Sequence, residues 1–491
     1  MENIRTSRVG LILGPLLFLC TLLFFHPEGL SPEGRAILAA TLWIAVWWIT
    51  EAIPISVTAL LPIVLFPLSG GLELNETTAS YGHRYIFLYM GGFVLAIAIE
   101  KWNLHRRIAL AIISFIGTNV SKIILGFMIA TAFMSMWISN TATTVMMLPI
   151  GMAIAKQFLD NSNPEDSGAT NFSKALMLAI AYSASIGGMA TLIGTPPNLV
   201  FAGVVQEFYG IDISFAQWFS FGFPISVCLL GICWFYLTRF AFPCKTQKFP
   251  GGGDEILQMR AALGPLRYEE KVILVVFVST AFMWIFRSYF QNFLPALDDT
   301  IIAIVAAVSL FMIPAKEKGK KLITWEEAVK MPWGIMLLFG GGIAIAAGFQ
   351  SSGLAVWIGG QLTLLDGVAI FLLVLVLIAM VNFLTEITSN LATTAMLLPI
   401  LAPMAFALDI HPYILMVSAT VAASCAFMLP VATPPNAIVF GSGYLRITDM
   451  FKKGIWMNLI SIFLLSLIVY WVLPLIWGFD LTRFPVEFMT E

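Results

Sequence analysis

Apolar residues run along this chain in blocks about as long as a bilayer is thick, and polar residues gather at the breaks between blocks. About 20 apolar residues suffice for one helical crossing. The first block, 9–25, is one helix. The block 36–68 exceeds one crossing and is interrupted at Glu51-Ala52-Ile53-Pro54, so it predicts two helices. A helix over 84–100 follows and ends at a basic cluster, Lys101, His105, Arg106 and Arg107. Then come a segment over 120–156, a polar linker from Asp160 to Ala169, a helix over 172–205 broken at Gly194–Asn198, and a helix over 215–240. A loop with Gly251-Gly252-Gly253 is read as the boundary between two halves, 1–250 and 251–491. Beyond it the order recurs: helices over 271–290, 299–314 and 334–350, a segment over 367–405, a broken helix over 412–440 and a last helix over 456–478.

The polar breaks are duplicated. Residues 139–150 read SNTATTVMMLPI and residues 389–400 read SNLATTAMLLPI, nine identities in twelve positions. Each is followed by a second shared signature, Gly194-Thr195-Pro196-Pro197-Asn198 and Ala432-Thr433-Pro434-Pro435-Asn436. A glycine pair precedes each, Gly91-Gly92 and Gly341-Gly342. Paired, interrupted apolar segments at matching places in two halves are the best sequence pointer to a transport site.

Composition narrows the class. Of 491 residues, 59% are hydrophobic and 11% charged, against about 25% charged in soluble domains, and the mean hydropathy is +0.90. The fold class is therefore an all-α polytopic membrane protein. The basic residues Arg5 and Arg8 before block 9–25 imitate a signal peptide, but no small-residue cleavage site follows, so the block is read as a first transmembrane helix. Net charge is −2 and no basic run suggests nucleic acid. The five cysteines are scattered and offer neither a disulfide framework nor a metal spacing.

Charge also fixes a topology. With the N-terminus cytoplasmic and each SN segment a re-entrant hairpin, every one of the 26 Lys and Arg residues falls on the cytoplasmic side except Arg35, Arg84, Arg287 and Arg483. Such an excess follows the positive-inside rule. Reading a single SN segment as a full crossing would move the cluster Lys316, Lys318, Lys320 and Lys321 outside. The charge pattern thus predicts two hairpins (about 120–156 and 367–405) in inverted repeats, with the C-terminus outside.

Non-helical backbone at membrane depth is tolerated only in protein or beside a wet cavity. Pro196-Pro197 and Pro434-Pro435 each remove two amide donors and exclude helix just before them. Freed carbonyls suit a cation; the amides at the start of the next half-helix suit an anion. Ser and Asn at a hairpin tip serve either role. The glycine pairs are explained by close helix packing. Glu51 and Glu386 are intramembrane acids and so functional candidates; a structural cap explains Glu51 equally well. The four histidines form no visible proton relay.

The paired SNT-type motifs with their T-P-P-N breaks resemble the divalent-anion/sodium symporters, the INDY-like di- and tricarboxylate transporters. Trp47-Trp48-Ile49-Thr50-Glu51-Ala52-Ile53-Pro54 and Thr58-Ala59-Leu60-Leu61-Pro62 are similar to that family's early signature. The resemblance runs from about residue 36 to 455. It implies a homodimer, about eleven transmembrane helices plus two re-entrant hairpins, and an elevator-type motion of a transport domain against a scaffold. It also implies that Asn140 and Asn390 touch both a sodium ion and a substrate carboxylate, and that Thr141 donates its hydroxyl to substrate. One sodium site would use Ser135, Ser139, Asn140 and the backbone near Gly194. The other would use Thr385, Ser389, Asn390 and the backbone near Ala432. Thr195, Pro196, Thr433 and Pro434 would line the substrate pocket. One departure stands out: Leu391 replaces the second threonine, and the lost contact to a charged group is worth about 1.5–3 kcal/mol.

These features together point to a sodium-coupled symporter for C4-dicarboxylates in the plasma membrane, the inner membrane in a bacterium. It needs no cofactor beyond coupling sodium ions and is not an enzyme. With no Lys or Arg near either motif, sodium must supply the positive charge that a buried dianion requires. Rival readings are a sodium-independent dicarboxylate exchanger, a citrate or sulfate carrier on the same scaffold, and a passive channel. An intramembrane hydrolase lacks its constellation, since Ser139 has no evident base.

Overall fold

The computed structural model describes residues 2–117, 119–160, 167–243, 254–317, 319–361 and 367–488. The glycine run at 251–253 and most of the polar linker after Asp160 lie outside the described residues. Helix is the regular structure throughout, apart from one β-bridge between Pro314 and Lys321. Among the described residues, seven helices are long and apolar enough to cross a membrane, and five apolar helices of 10–17 residues accompany them. Exposed apolar side chains such as Ile12, Leu68, Phe115 and Leu475 leave an outer surface suited to lipid. The chain is a multi-pass membrane protein.

Both SN segments are helical hairpins. The first has arms Val120–Ser135 and Asn140–Asp160, joined by a tip at 136–139. The second has arms Ile370–Leu384 and Asn390–Ala407 with its tip at 385–389. Each hairpin packs on an interrupted helix, Ser167–Gly188 with Pro196–Tyr209, and Pro412–Ala423 with Pro434–Phe440. The closing helix of each half, Phe215–Tyr236 and Ile447–Leu467, ends in a turn of π-helix, Leu237–Ala241 and Ile468–Val472.

Three details differ from the sequence expectation. The first break spans 189–195 and not Gly194–Asn198, because Pro196 and Pro197 open the second half-helix. Proline lacks an amide hydrogen that the first helical turn does not need, so this is where it is tolerated. Thr195 before it is extended, at φ −142° and ψ 140°, as a residue preceding proline prefers. Secondly, the helix Arg84–Lys101 ends at the first residue of the basic cluster as expected, but the other three, His105, Arg106 and Arg107, open a separate helix, Leu104–Ile116, that the sequence did not predict. Thirdly, a short helix, Leu74–Ala79, precedes Arg84.

The glycine pairs serve packing. A Cβ on Gly91 would lie 2.8 Å from the backbone of Ala303, and one on Gly341 would lie 2.6 Å from Ala59 O. Each half therefore uses the same glycine to approach a helix of the other half.

Two of the four basic residues expected outside are neutralised in place. Arg84 pairs with Asp212, and Arg287 lies 3.0 Å from Asp299 and 3.6 Å from Asp298. Asp299 is 2% exposed and also accepts the amide of Phe215 at 2.7 Å. Replacing Asp299 with alanine leaves Arg287 without its nearest carboxylate and Phe215 without an acceptor. Breaking one side of a buried pair costs about 3–5 kcal/mol, so the thermal midpoint of purified Asp299→Ala is expected to fall by several degrees. An unchanged midpoint would contradict the pairing.

Candidate functional site

At the first tip, helix Val120–Ser135 ends and its last carbonyls seek partners. Met134 O takes the amides of both Trp137 and Ile138, and no amide reaches Ser135 O. The Ser135 hydroxyl lies 2.6 Å from Asn140 Oδ1 and 2.7 Å from Ala184 O. Three oxygens thus share a single proton. A Cβ on Gly194 would meet Gly188 O at 2.5 Å and Ser135 O at 3.0 Å, so two further carbonyls converge there. Oxygen-rich and proton-poor clusters of this kind suit a hard cation.

The second tip repeats the arrangement. Thr385 Oγ1 lies 2.6 Å from Asn390 Oδ1 and 3.0 Å from Ala423 O. Thr385 replaces Ser135 without loss of the hydroxyl. Ala432 stands where the first half has Gly194 and lines the same space.

The asparagines of the two T-P-P-N breaks have a role that sequence reading missed. Asn198 Nδ2 holds the unwound carbonyls of Gly188, Met189 and Thr191, the last at 2.7 Å. Asn436 Nδ2 holds Ala426 O at 3.1 Å and Leu429 O at 3.0 Å. Both side chains are fully buried. They shape the loop through their Nδ2 groups. Their presence in a duplicated motif was the available signal.

Glu386 does the same work in the second half only. Its carboxylate accepts the amides of Phe427, Met428 and Leu429 at 2.8, 2.9 and 3.0 Å and Asn458 Nδ2 at 2.7 Å. It caps the break and does not line the cavity. Glu51, by contrast, has a left-handed backbone (φ 46°) that ends helix Pro32–Thr50, and its residue lines the cavity wall.

Both tips and both breaks border one cavity of about 1030 Å³. Asn140, Thr141, Thr195 and Pro196 line it from the first half, and Asn390, Leu391, Thr433 and Pro434 from the second. Ser139, Gly194, Ser389 and Ala432 also reach it, while Ser135 and Thr385 sit behind the tips, fully buried. The remaining wall comes from Thr6, Ser7, the segment around Glu51, Tyr89 and the start of helix Trp333–Ser351. Among the described residues no Lys, Arg or His lines it, and Glu51 is its one carboxylate. No cluster of three or more His, Cys, Asp or Glu exists among the described residues.

The amides that open both second arms complete the site. Asn140 and Thr141 begin helix Asn140–Asp160, and Asn390 and Leu391 begin helix Asn390–Ala407. Their amides precede the first intrahelical bonds and point out of the helix start, where negative charge is favoured. Oxygens suited to a cation and amides suited to an anion therefore lie side by side at each tip.

Comparison with known proteins places this geometry. The model of the sodium:sulfate symporter transmembrane region matches residues 5–477. A sodium-dependent dicarboxylate transporter, SdcS of Staphylococcus saprophyticus subsp. saprophyticus, is 50% identical over 482 residues, 97% of this chain and 93% of that protein. SdcS of Staphylococcus aureus strain USA300 matches to the same extent. Among solved structures, MtrF of Neisseria gonorrhoeae superposes with a TM-score of 0.58 at 13% identity over 95% of both chains. The YdaH transporter of Alcanivorax borkumensis gives 0.58 and 13% over 96% of this chain and 98% of that one. The last two share the fold.

Proposed function

The chain belongs to the sodium:sulfate symporter family, and from that membership we propose that it couples uptake of a C4-dicarboxylate such as succinate, malate or fumarate to sodium. The observation that carries this reading is the charge of the cavity. It combines two proton-poor oxygen clusters with two open helix starts and has no basic side chain. A dianion entering alone would meet low dielectric and the Glu51 carboxylate, at a cost no amide pair offsets. Sodium at Ser135, Ser139, Asn140 and Gly194, and at Thr385, Ser389, Asn390 and Ala432, supplies the missing charge. Sodium therefore binds first and creates the anion site. The substrate named for the 50% identical relatives supports a dicarboxylate as that anion.

The two hairpins would lie in opposite orientation, with the N-terminus cytoplasmic and the C-terminus outside. Each protomer of a homodimer would carry its tips across the membrane by an elevator-type movement. A net positive charge moved per cycle would draw about 2.3 kcal/mol from each 100 mV of membrane potential. Support for this part is the resemblance of the motifs and the charge pattern of the loops.

Equilibrium binding tests the order of events. Purified protein should bind radiolabelled succinate saturably in sodium and lose measurable binding when potassium replaces it. Equal binding in both salts would contradict the charge argument. Binding of sulfate but not succinate would redirect the substrate assignment.

A further inference from the structure

We propose that the cavity binds its dicarboxylate asymmetrically: the first-half end, with Thr141, is the strong carboxylate clamp, and the second-half end, with Leu391, is the weak one. This rests on the dicarboxylate reading above and deepens it.

Over the four residues where each tip meets its second arm, the two halves differ at two places. The first reads Ile138-Ser139-Asn140-Thr141 and the second Thr388-Ser389-Asn390-Leu391. The hydroxyl and the aliphatic side chain have changed places between the tips. Thr141 is exposed to the cavity, and its hydroxyl has no hydrogen-bond partner among the described residues. It is free to donate to an oxyanion beside the open amides of the helix start. Leu391, at the same helical position, is 5% exposed and offers the cavity only carbon.

Thr388 does not restore the missing donor, although it too lines the cavity. Its hydroxyl lies 2.8 Å from Leu384 O and 2.6 Å from the Thr393 hydroxyl. A carbonyl can only accept, so the single Thr388 proton goes to Leu384, and Thr393 must donate to Thr388. No Thr388 proton remains to donate to a carboxylate. The other hydroxyls do not alter the comparison. Thr195 and Thr433 stand in both breaks, and Thr433 accepts the Asn436 amide at 3.3 Å, which leaves its own proton free. Thr195 has no partner among the described residues and is equally free to donate. Between the matching tips and breaks, the first end therefore exceeds the second by one hydroxyl donor, at position 141.

A symmetric substrate makes the idea testable. Succinate presents the same group to both ends, so one hydroxyl at either end should serve it about equally. In proteoliposomes with saturating sodium, Thr141→Val is expected to raise the succinate KM about tenfold or more. Leu391→Thr is expected to lower it several-fold. The double variant Thr141→Val/Leu391→Thr moves the hydroxyl to the other end and is expected to return KM to within about threefold of the parent. That return is a coupling that two independent perturbations would not give. The sodium dependence of all three variants should match the parent, since neither side chain contributes to the oxygen clusters. The two that carry Leu391→Thr should melt somewhat lower because a buried leucine is lost. A double variant no better than Thr141→Val would overturn the proposal, as would Thr141→Val with unchanged KM. Failure of the underlying reading looks different. Parent protein without succinate uptake, or full uptake by Asn140→Ala, would remove the dicarboxylate site itself.

Discussion

Replacing Asn140 with alanine is expected to abolish sodium-driven dicarboxylate uptake while leaving the protein folded. Asn140 is the residue at which the cation cluster and the anion-binding helix start meet. Its carbonyl oxygen shares one proton with Ser135 Oγ at 2.6 Å and Ala184 O beyond. Its amide group faces the cavity beside the first open amides of helix Asn140–Asp160. Truncation thus takes one oxygen from the proposed sodium site and one donor from the proposed carboxylate site. Each contact to a charged partner is worth about 1.5–3 kcal/mol. Together they amount to about 3–6 kcal/mol, or a loss of roughly a hundredfold to ten-thousandfold in coupled binding. Stability should change little, because the Ser135 hydroxyl keeps Ala184 O as its acceptor. Uptake and thermal unfolding measured on the same preparation check both halves of this expectation. A shifted midpoint with preserved uptake would place Asn140 in the structural framework instead.

The second large effect is expected at Glu386. Alanine there deprives Phe427, Met428 and Leu429 of their shared acceptor and Asn458 of its partner. The residue is 3% exposed and lies beside the unwound segment that follows helix Pro412–Ala423. Water cannot easily replace the carboxylate at that depth. Each unsatisfied buried amide costs about 1–3 kcal/mol. Phe427 keeps Asn458 Oδ1 at 3.2 Å, but Met428, Leu429 and the Asn458 Nδ2 group lose their acceptor. Together these losses are a large part of the stability of a typical domain, about 5–15 kcal/mol. Glu386→Ala is therefore expected to unfold or aggregate in detergent at temperatures the parent tolerates. Glu386→Gln keeps an acceptor oxygen but turns its NH₂ toward amide hydrogens, so its midpoint should fall between the two. The matching position in the first half is Met136, whose side chain caps nothing; there the unwound segment is held by Asn198 and by Thr191, whose hydroxyl lies 3.0 Å from the Gly194 amide. Met136→Leu should consequently be mild. Thermal unfolding of the four proteins decides the matter, and a stable Glu386→Ala would contradict the capping role.

The tips were legible in the sequence for a physical reason. Ser, Asn and paired prolines are costly at membrane depth unless a cavity or protein satisfies them, and here they occur twice in the same order. Their convergence on one cavity follows from the same cost. The exact place of the first break was not legible, since proline ends a helix before itself and equally well begins one. The helix Leu104–Ile116 escaped because the basic residues read as the end of an apolar block, whereas the chain only turns at Trp102-Asn103 and His105, Arg106 and Arg107 open the next helix. Glu386 was visible as an intramembrane acid, but its four donors come from 41 to 72 residues away, beyond any local pattern. Thr388 was invisible for the opposite reason. Its meaning lies in the direction of one proton, fixed by Leu384 O and Thr393.

Uptake of radiolabelled succinate into proteoliposomes, with sodium or potassium outside and Asn140→Ala alongside, tests the central claim most directly. Saturable uptake that requires sodium and is lost in the variant is the predicted result. Uptake that proceeds equally in potassium, or only in exchange for internal dicarboxylate, would contradict it.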